Sequence, residues 1–92
     1  MNKATKWEDI SHIISSEYRK KALKNLQNPK IPSKLSKELG INKTHISRTL
    51  KDLEIGKMVK CLVPNKKKGK IFVITSYGKK ILDEISKLEN QF

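Results

Sequence analysis

The sequence predicts a mainly α-helical fold with one small β-hairpin: about four helices and a two- or three-stranded antiparallel sheet. Apolar residues recur at three- and four-residue steps over most of the chain, and this period is typical of helices. Two stretches rich in β-branched and apolar residues, MVKCLV and KIFVIT, instead flank the turn-forming stretch PNKKKG. That arrangement is typical of a hairpin with a longer loop.

Length and composition indicate a small basic domain. The 92 residues have room for a single domain, residues 1–92, of which residues 1–6 are polar and expected to be frayed. A net charge of +12 is large for this length and indicates a polyanionic partner. The apolar runs are too short to span a membrane, and residues 1–15 lack the apolar core of a signal peptide. We therefore expect a cytoplasmic protein with no membrane partner, and a reducing compartment fits Cys61, the single cysteine, which we expect to be half-buried in a strand.

The first helical period covers residues 7–26. Ser15 and Ser16 are expected to divide it, because serine competes for backbone hydrogen bonds and caps a following helix well. The main helix is then predicted from about residue 16 to residue 27. Pro29 ends it, since the residue before a proline disfavours the helical conformation.

A short helix is predicted next, with Leu35 and Leu39 one turn apart on its apolar side. Gly40 is available for the left-handed turn that ends it. The helix begins either with Pro32 in its first turn, where a missing amide hydrogen costs nothing, or with Ser33 as the cap. The residues leave this choice open.

The stretch around which the chain is organised is a longer helix that begins after Asn42, a good N-cap, and stops at Gly56. At about 100° per residue, Ile46, Leu50 and Leu53 fall on one side and polar or basic residues fall roughly opposite. A turn of about three residues separates this helix from the one before it, which is the spacing of a helix-turn-helix whose second helix enters a major groove of DNA. The candidate DNA-binding residues of this recognition helix are Lys43, Thr44, His45, Ser47, Arg48 and Lys51.

Arg48 is the candidate best suited to select a base, because its planar fork matches guanine O6 and N7. The alternative is a solvent-exposed ion pair with Asp52 one turn later. His45 lies at the side of the helix, where it either contacts a phosphate or remains on polar surface. His12, on the first helix, is expected to be a packed or surface residue and not a ligand.

The last helix is predicted over residues 76–92, with Thr75 or Ser76 as its N-cap. Its apolar residues have the four-three-four spacing of a helix that packs along another helix, and they are Ile81, Ile85, Leu88 and Phe92. Leu82 widens this stripe enough to contact the rest of the domain.

Three segments together resemble the winged helix-turn-helix transcriptional regulators of the bacterial and archaeal MarR and ArsR type. They are PSKLSKELGINKTHISRTLKDLEIGKMV, the basic loop NKKKGK, and ITSYGKKIL. The resemblance implies a winged-helix fold and a DNA-binding transcriptional regulator.

In winged-helix proteins the hairpin loop, or wing, lies along the phosphate backbone. The resemblance therefore implies wing contacts from Lys66, Lys67, Lys68 and Lys70. The segment 57–70 carries six lysines and no acidic residue, so the positive charge is concentrated here. Because lysine lacks the planar fork of arginine, we expect these residues to neutralise phosphates with little choice of sequence.

In the resembling families the first and last helices commonly build a homodimer interface. The residues implied for that role are Trp7, Ile10, Ile14, Ile81, Ile85, Leu88 and Phe92. The alternative is that these residues complete the core of the monomer.

Enzymatic chemistry is not indicated. A nucleotide-binding loop that ended at Gly69 and Lys70 would need glycine and serine or threonine where the chain has Pro64 and Ile71. Two distant histidines and one cysteine, with no close acidic cluster, predict neither a metal site nor an activated nucleophile. We expect no enzyme, no cofactor and no metal.

The main hypothesis is a homodimeric regulator that binds double-stranded DNA at specific sequences. One alternative is sequence-independent, chromatin-like coating of DNA, since a charge of +12 favours any polyanion. Another is a winged helix that serves as a protein-interaction module in a transcription or RNA-processing assembly.

Overall fold

A computed structural model describes residues 7–63 and 69–90 of the protein. In chain order its elements are α1 (Trp7–Ile14), α2 (Glu17–Asn25), α3 (Pro32–Leu39), α4 (Lys43–Ile55), β1 (Val59–Cys61), β2 (Phe72–Ile74) and α5 (Ser76–Glu89). The predicted class, mainly α with one small antiparallel sheet, is confirmed.

The first helical period forms two helices, because Ser16 has an extended backbone between them. Its Oγ accepts a hydrogen bond from the backbone N–H of Arg19 at 3.3 Å, as expected of an N-cap. The predicted division at the serine pair is therefore confirmed. The second helix is shorter than expected and ends at Asn25, two residues before Gln27.

The start of α3 decides between the two alternatives left by the sequence. Pro32 occupies the first turn and Ile31 precedes it in extended conformation without a side-chain cap, so Ser33 is not the cap. At the other end, Gly40 has a φ of 66°, the left-handed conformation that was predicted there.

The recognition helix begins as predicted, because Asn42 Oδ1 accepts the backbone N–H of His45 at 3.0 Å. Gly56 is its C-cap, but the left-handed conformation belongs to the next residue, Lys57, whose φ is 62°. Gly56 itself has an ordinary φ of −76°. The turn is closed by the N–H of Lys57, which donates to the carbonyl of Glu54 at 2.9 Å.

The hairpin is short and is anchored to the helical part of the molecule. Its paired residues are Val59 with Ile74, Lys60 with Val73, and Cys61 with Phe72. The backbone of Lys30 forms two further hydrogen bonds with Phe72, at 2.9 and 3.0 Å, so the chain just before α3 borders β2. Cys61 is half-buried, as expected.

The core takes apolar side chains from every element, among them Ile13, Leu23, Leu35, Leu53, Met58 and Phe72. Ile10, Ile81 and Ile85 lie in it too and are at most 4% exposed, because α5 packs against α1 and α2. Of the two roles considered for these three residues, the monomer core is therefore the one that their position supports.

Candidate nucleic-acid interface

The recognition helix α4 presents one apolar and one polar side. Ile46, Thr49, Leu50 and Leu53 are buried beneath it. The six candidate residues, Lys43, Thr44, His45, Ser47, Arg48 and Lys51, are all exposed. The sequence pattern therefore assigned the outward side of this helix correctly.

The outward side divides into three strips, as expected for a helical period of about 100° per residue. The outer ridge, farthest from the core, consists of Thr44, Arg48, Lys51 and Ile55. The α2 flank consists of His45 and Asp52, whose neighbours are residues of α2. The hairpin flank consists of Ser47 and Glu54, which border a groove towards β2.

On the outer ridge, Arg48 does not form the ion pair with Asp52 that was the alternative to a base contact. Asp52 instead accepts a hydrogen bond from Nη2 of Arg19, at 3.2 Å. Over residues 7–63 and 69–90, no acidic side chain lies within ion-pair distance of Arg48. Its guanidinium is thus available to an external partner, and the alternative of an Arg48–Asp52 ion pair is not found.

On the α2 flank, His45 is in contact with Tyr18. The two ring centroids are 5.4 Å apart and the rings meet edge to face at 61°. The side chain of Tyr18 is exposed beside the recognition helix. The contact between Tyr18 and His45 depends on the packing of α2 against α4. The sequence of either helix by itself does not indicate that packing.

On the hairpin flank, a groove of about 450 Å³ separates α4 from the base of the hairpin. Its lining residues are Pro32, Ser47, Leu50, Lys51, Glu54, Gly69, Lys70 and Phe72. Lys51 of α4 and Lys70, which precedes β2, bring two cations to the same groove, and Glu54 adds a carboxylate there. Sequence reasoning had named both lysines and had missed Glu54.

Two acidic side chains are neutralised away from α4. Nζ of Lys20 donates to Oε2 of Glu89 at 2.7 Å, and this hydrogen bond raises the pKa of Lys20 and lowers the pKa of Glu89. The ammonium of Lys30 hydrogen-bonds to Glu38 and likewise lowers the pKa of that carboxyl. Both carboxylates are therefore paired with lysines outside the recognition helix.

Among the described residues, no three histidine, cysteine, aspartate or glutamate side chains are grouped in a way that suits a metal ion. In the same part of the chain, no helix has the length and apolar character needed to cross a membrane.

A scan against protein-family models finds no match, and a search of the curated proteins finds no similar sequence. Solved structures, however, share the arrangement of the helices and hairpin. The chain is similar to a mutant of MarR from E. coli in complex with operator DNA, with a TM-score of 0.76 and 25% sequence identity over 91% of this chain. The fold is a winged helix of the MarR type.

Two other winged-helix structures agree with this assignment. One is the reduced form of the transcriptional regulator YodB from B. subtilis, with a TM-score of 0.77, 17% identity, and coverage of 97% of this chain and 90% of that chain. The other is a complex of MepR from S. aureus with DNA, with a TM-score of 0.71, 17% identity and coverage of 91% of this chain. The present chain spans 62% of the MarR chain and 63% of the MepR chain.

In winged-helix terms the hairpin is the wing and α4 is the recognition helix. Lys70 is exposed at the base of the wing. Lys66, Lys67 and Lys68, the other predicted wing contacts, lie outside the described residues.

The predicted dimer residues that remain at the surface lie mainly on α1. Trp7 is 65% exposed and Ile14 is 44% exposed, and two turns of helix separate them, so they share a face. Leu88 on α5 is half-buried. Phe92 lies outside the described residues.

Proposed function

We propose that this protein binds double-stranded DNA and regulates transcription, with α4 lying in the major groove. The observation that carries the proposal is the outer ridge, where Thr44, Arg48 and Lys51 are exposed and Arg48 keeps its donors unpaired among the described residues. The similarity to MarR, solved with operator DNA, and to MepR, solved with DNA, supports it. Because the named neighbours are regulators, it also supports a non-enzymatic role.

The residues of α4 divide between reading bases and holding the backbone. Arg48 has the geometry to donate two hydrogen bonds to a guanine edge, and Thr44 and Ser47 can bond either a base or a phosphate. Lys43 and Lys51 are mobile point charges suited to phosphates. We assign the groove between α4 and the wing to one DNA strand, since Lys51 and Lys70 meet there.

We further propose that the protein acts as a homodimer through the exposed face of α1 and through Leu88 near the end of α5, with Phe92 also assigned to this contact. Trp7 and Ile14 are large apolar side chains that the monomer leaves in contact with solvent. Two recognition helices would then enter successive major grooves about 34 Å apart on a pseudo-palindrome. In this proposal residues 1–92 form a single DNA-binding domain. The protein acts in the cytoplasm.

Selection of bound fragments from a random pool of duplexes, at physiological salt, tests the proposal. A regulator enriches one sequence and prefers it over scrambled DNA by about 10³-fold or more. Sequence-independent coating, which the net charge of +12 favours, instead gives equal affinities that fall together as salt rises. That second outcome would replace regulation by coating.

Single substitutions then test the assigned roles. Arg48→Ala is expected to cost about 1–3 kcal/mol at the selected site and to relax the base choice there. Replacing Lys67 and Lys68 by alanine is expected to weaken binding to all duplexes alike and to reduce the salt dependence. If the two variants change base preference and salt dependence in the same way, the assignment of base recognition to Arg48 and phosphate neutralisation to the wing lysines is wrong. If replacing Arg48 and Lys51 leaves function intact, a protein-interaction module is the better explanation.

A further inference from the structure

One guanidinium joins three helices. Nε and Nη2 of Arg19 donate to Oδ2 of Asp52 at 3.4 and 3.2 Å, and Nη1 donates to the backbone carbonyl of His12 at 3.0 Å. Arg19 is in the first turn of α2, Asp52 is on α4, and His12 is in the last turn of α1. The Arg19 side chain is only 24% exposed, so it lies between the helices and not on the open surface.

Both partners of Arg19 present a negative atom to it, a carboxylate oxygen of Asp52 and the partly negative carbonyl oxygen of His12. The carbonyl of His12 is at the C-terminal end of α1, where carbonyls lack partners within the helix and the helix dipole is negative. The hydroxyl of Ser15 donates to the same carbonyl at 2.9 Å. Asp52 supplies the second negative group. A planar fork with five donors can serve both partners at once, whereas the ammonium of a lysine cannot match that geometry.

The first turn of α2 holds the recognition helix at two places. Arg19 binds Asp52, and the preceding residue, Tyr18, packs against His45. Asp52 and His45 both belong to the α2 flank and lie two helical turns apart. Two attachments along one flank restrict both the tilt of α4 and its rotation about its own axis.

We propose that Arg19 is a positioning residue that sets the rotation of the recognition helix relative to α1. This inference rests on the proposed DNA-binding function. Rotation of α4 decides how far Arg48, one turn before Asp52, reaches towards a base edge. A bidentate contact tolerates little misplacement, because both of its hydrogen bonds depend on direction. Arg19 therefore supports the choice of sequence, although its own donors are engaged within the protein.

A matched control for Arg19→Ala is Lys20→Ala. Both changes remove one positive charge from the first turn of α2, but the ion pairs of Lys20 are with Glu17 on α2 and Glu89 on α5 and not with α4. The affinities for the selected duplex and for a scrambled duplex are measured in the same salt. Lys20→Ala is expected to weaken both affinities alike, so that their ratio is unchanged. Arg19→Ala is expected to lower that ratio by about three- to tenfold.

Asp52→Ala and the double variant complete a mutant cycle. Asp52→Ala removes a negative charge and so raises affinity for any duplex, yet it is expected to lower the ratio as Arg19→Ala does. The double variant is expected to lose no more of the ratio than either single variant, because the two residues act as one unit. Losses that multiply in the double variant would overturn the inference.

Two charge- or shape-conserving variants keep the test valid if the alanine variants unfold. Arg19→Lys retains the charge, so its affinity for scrambled DNA is expected to stay at the wild-type value while its ratio still falls; Asp52→Asn is expected to lower the ratio as well. Circular dichroism at the assay temperature confirms that each variant is folded. A wild-type ratio retained by folded Arg19→Lys and Asp52→Asn would overturn the positioning role alone. A wild-type protein without any preferred duplex would overturn the proposed function and this inference with it.

Discussion

Gly78, in the first turn of α5, packs so closely on Met58 that no Cβ fits between the two residues. A Cβ at position 78 would overlap the backbone carbonyl oxygen of Met58 and would lie 2.6 Å from Cγ1 of Ile74. Thr75 reinforces this junction, since its N–H donates to the carbonyl of Met58 at 2.9 Å and its hydroxyl donates to the carbonyl of Lys57 at 2.7 Å. The start of α5 is thereby fixed to the chain that leads from the recognition helix into the wing.

Gly78→Ala is expected to destabilise the protein by about 1–3 kcal/mol, because the added methyl group must displace a backbone carbonyl in a packed region. This sign is opposite to the usual effect of alanine in a helix, which favours folding by about 1 kcal/mol relative to glycine. The free energy of unfolding from urea titration measures the change.

Gly56→Ala is the control for that measurement. Its φ of −76° suits any residue, and the nearest atom to an added Cβ is the flexible Cε of Met58 at 3.2 Å. We expect a change within about 0.5 kcal/mol of zero. If both variants lost the same free energy of unfolding, the close contact between Gly78 and Met58 would not be the cause of the destabilisation.

Local backbone features were readable from the sequence because they depend on a residue and its immediate neighbours. Ser16 and Asn42 cap their helices with a side-chain oxygen, and Gly40 supplies the left-handed turn between α3 and α4. The exposed side of α4 followed from the helical period alone. The prediction was less accurate at the end of α4, where Lys57 takes a left-handed conformation that its residue type does not suggest.

Features that depend on distant packing were not predictable from single segments. The pattern of Ile81 and Ile85 suits an interface between helices equally well within a monomer or between two copies, and only the position of α5 shows that α1 and α2 cover them. The sequence offered Asp52 a partner one turn away only as an alternative, and it gave no sign of the actual partner, Arg19, 33 residues earlier in the chain. The helical period identifies the side of a helix that is covered, but it does not identify the neighbour.

Asn42→Ala is expected to lower the free energy of unfolding by about 0.5–2 kcal/mol, because the backbone N–H of His45 loses its acceptor. Asn42→Ser keeps an acceptor oxygen at this position and is expected to lose much less. Urea titration of both variants measures the difference. Equal destabilisation by alanine and serine would mean that the cap is not what stabilises the start of the recognition helix.

Replacing both Trp7 and Ile14 by alanine is expected to convert the proposed dimer into a monomer, because it removes the large apolar side chains that α1 exposes. Sedimentation at micromolar concentrations measures the mass of wild type and variant. Ile55→Ala is the control, since Ile55 is also an exposed apolar residue but lies on the outer ridge of α4. A monomeric wild type, or a variant that remains dimeric, would contradict this interface.

Ile85→Ala tests whether Ile85 belongs to the monomer core or to a dimer interface. Ile85 is fully buried in the monomer, so its truncation is expected to lower the free energy of unfolding by about 2–5 kcal/mol. Urea titration over a range of protein concentrations gives the measurement. A loss of stability that vanished at high protein concentration would instead place Ile85 at the dimer contact.

The ion pair between Lys20 and Glu89 makes stability depend on pH. The hydrogen bond from Lys20 holds the pKa of Glu89 below its ordinary value. A carboxyl group with a lowered pKa stabilises the folded state above its unfolded pKa of about 4.3, and this contribution is lost as the pH falls through the folded pKa. The effect is expected to be small and weaker in high salt, since the Glu89 side chain is 44% exposed.

Glu89→Gln is therefore expected to remove part of the loss of thermal stability at low pH. Between about pH 5 and pH 3, the Tm of wild type should fall more steeply than the Tm of Glu89→Gln, because only the wild type loses the ion pair on protonation. Glu84→Gln removes an acid from the same helix without breaking the link between α2 and α5, and it should keep the slope of the wild type. Lys20→Ala should flatten the slope as Glu89→Gln does, since either change removes the same pair. If the Tm of Glu89→Gln fell with pH as steeply as the Tm of wild type, this ion pair would contribute nothing to the pH dependence of stability.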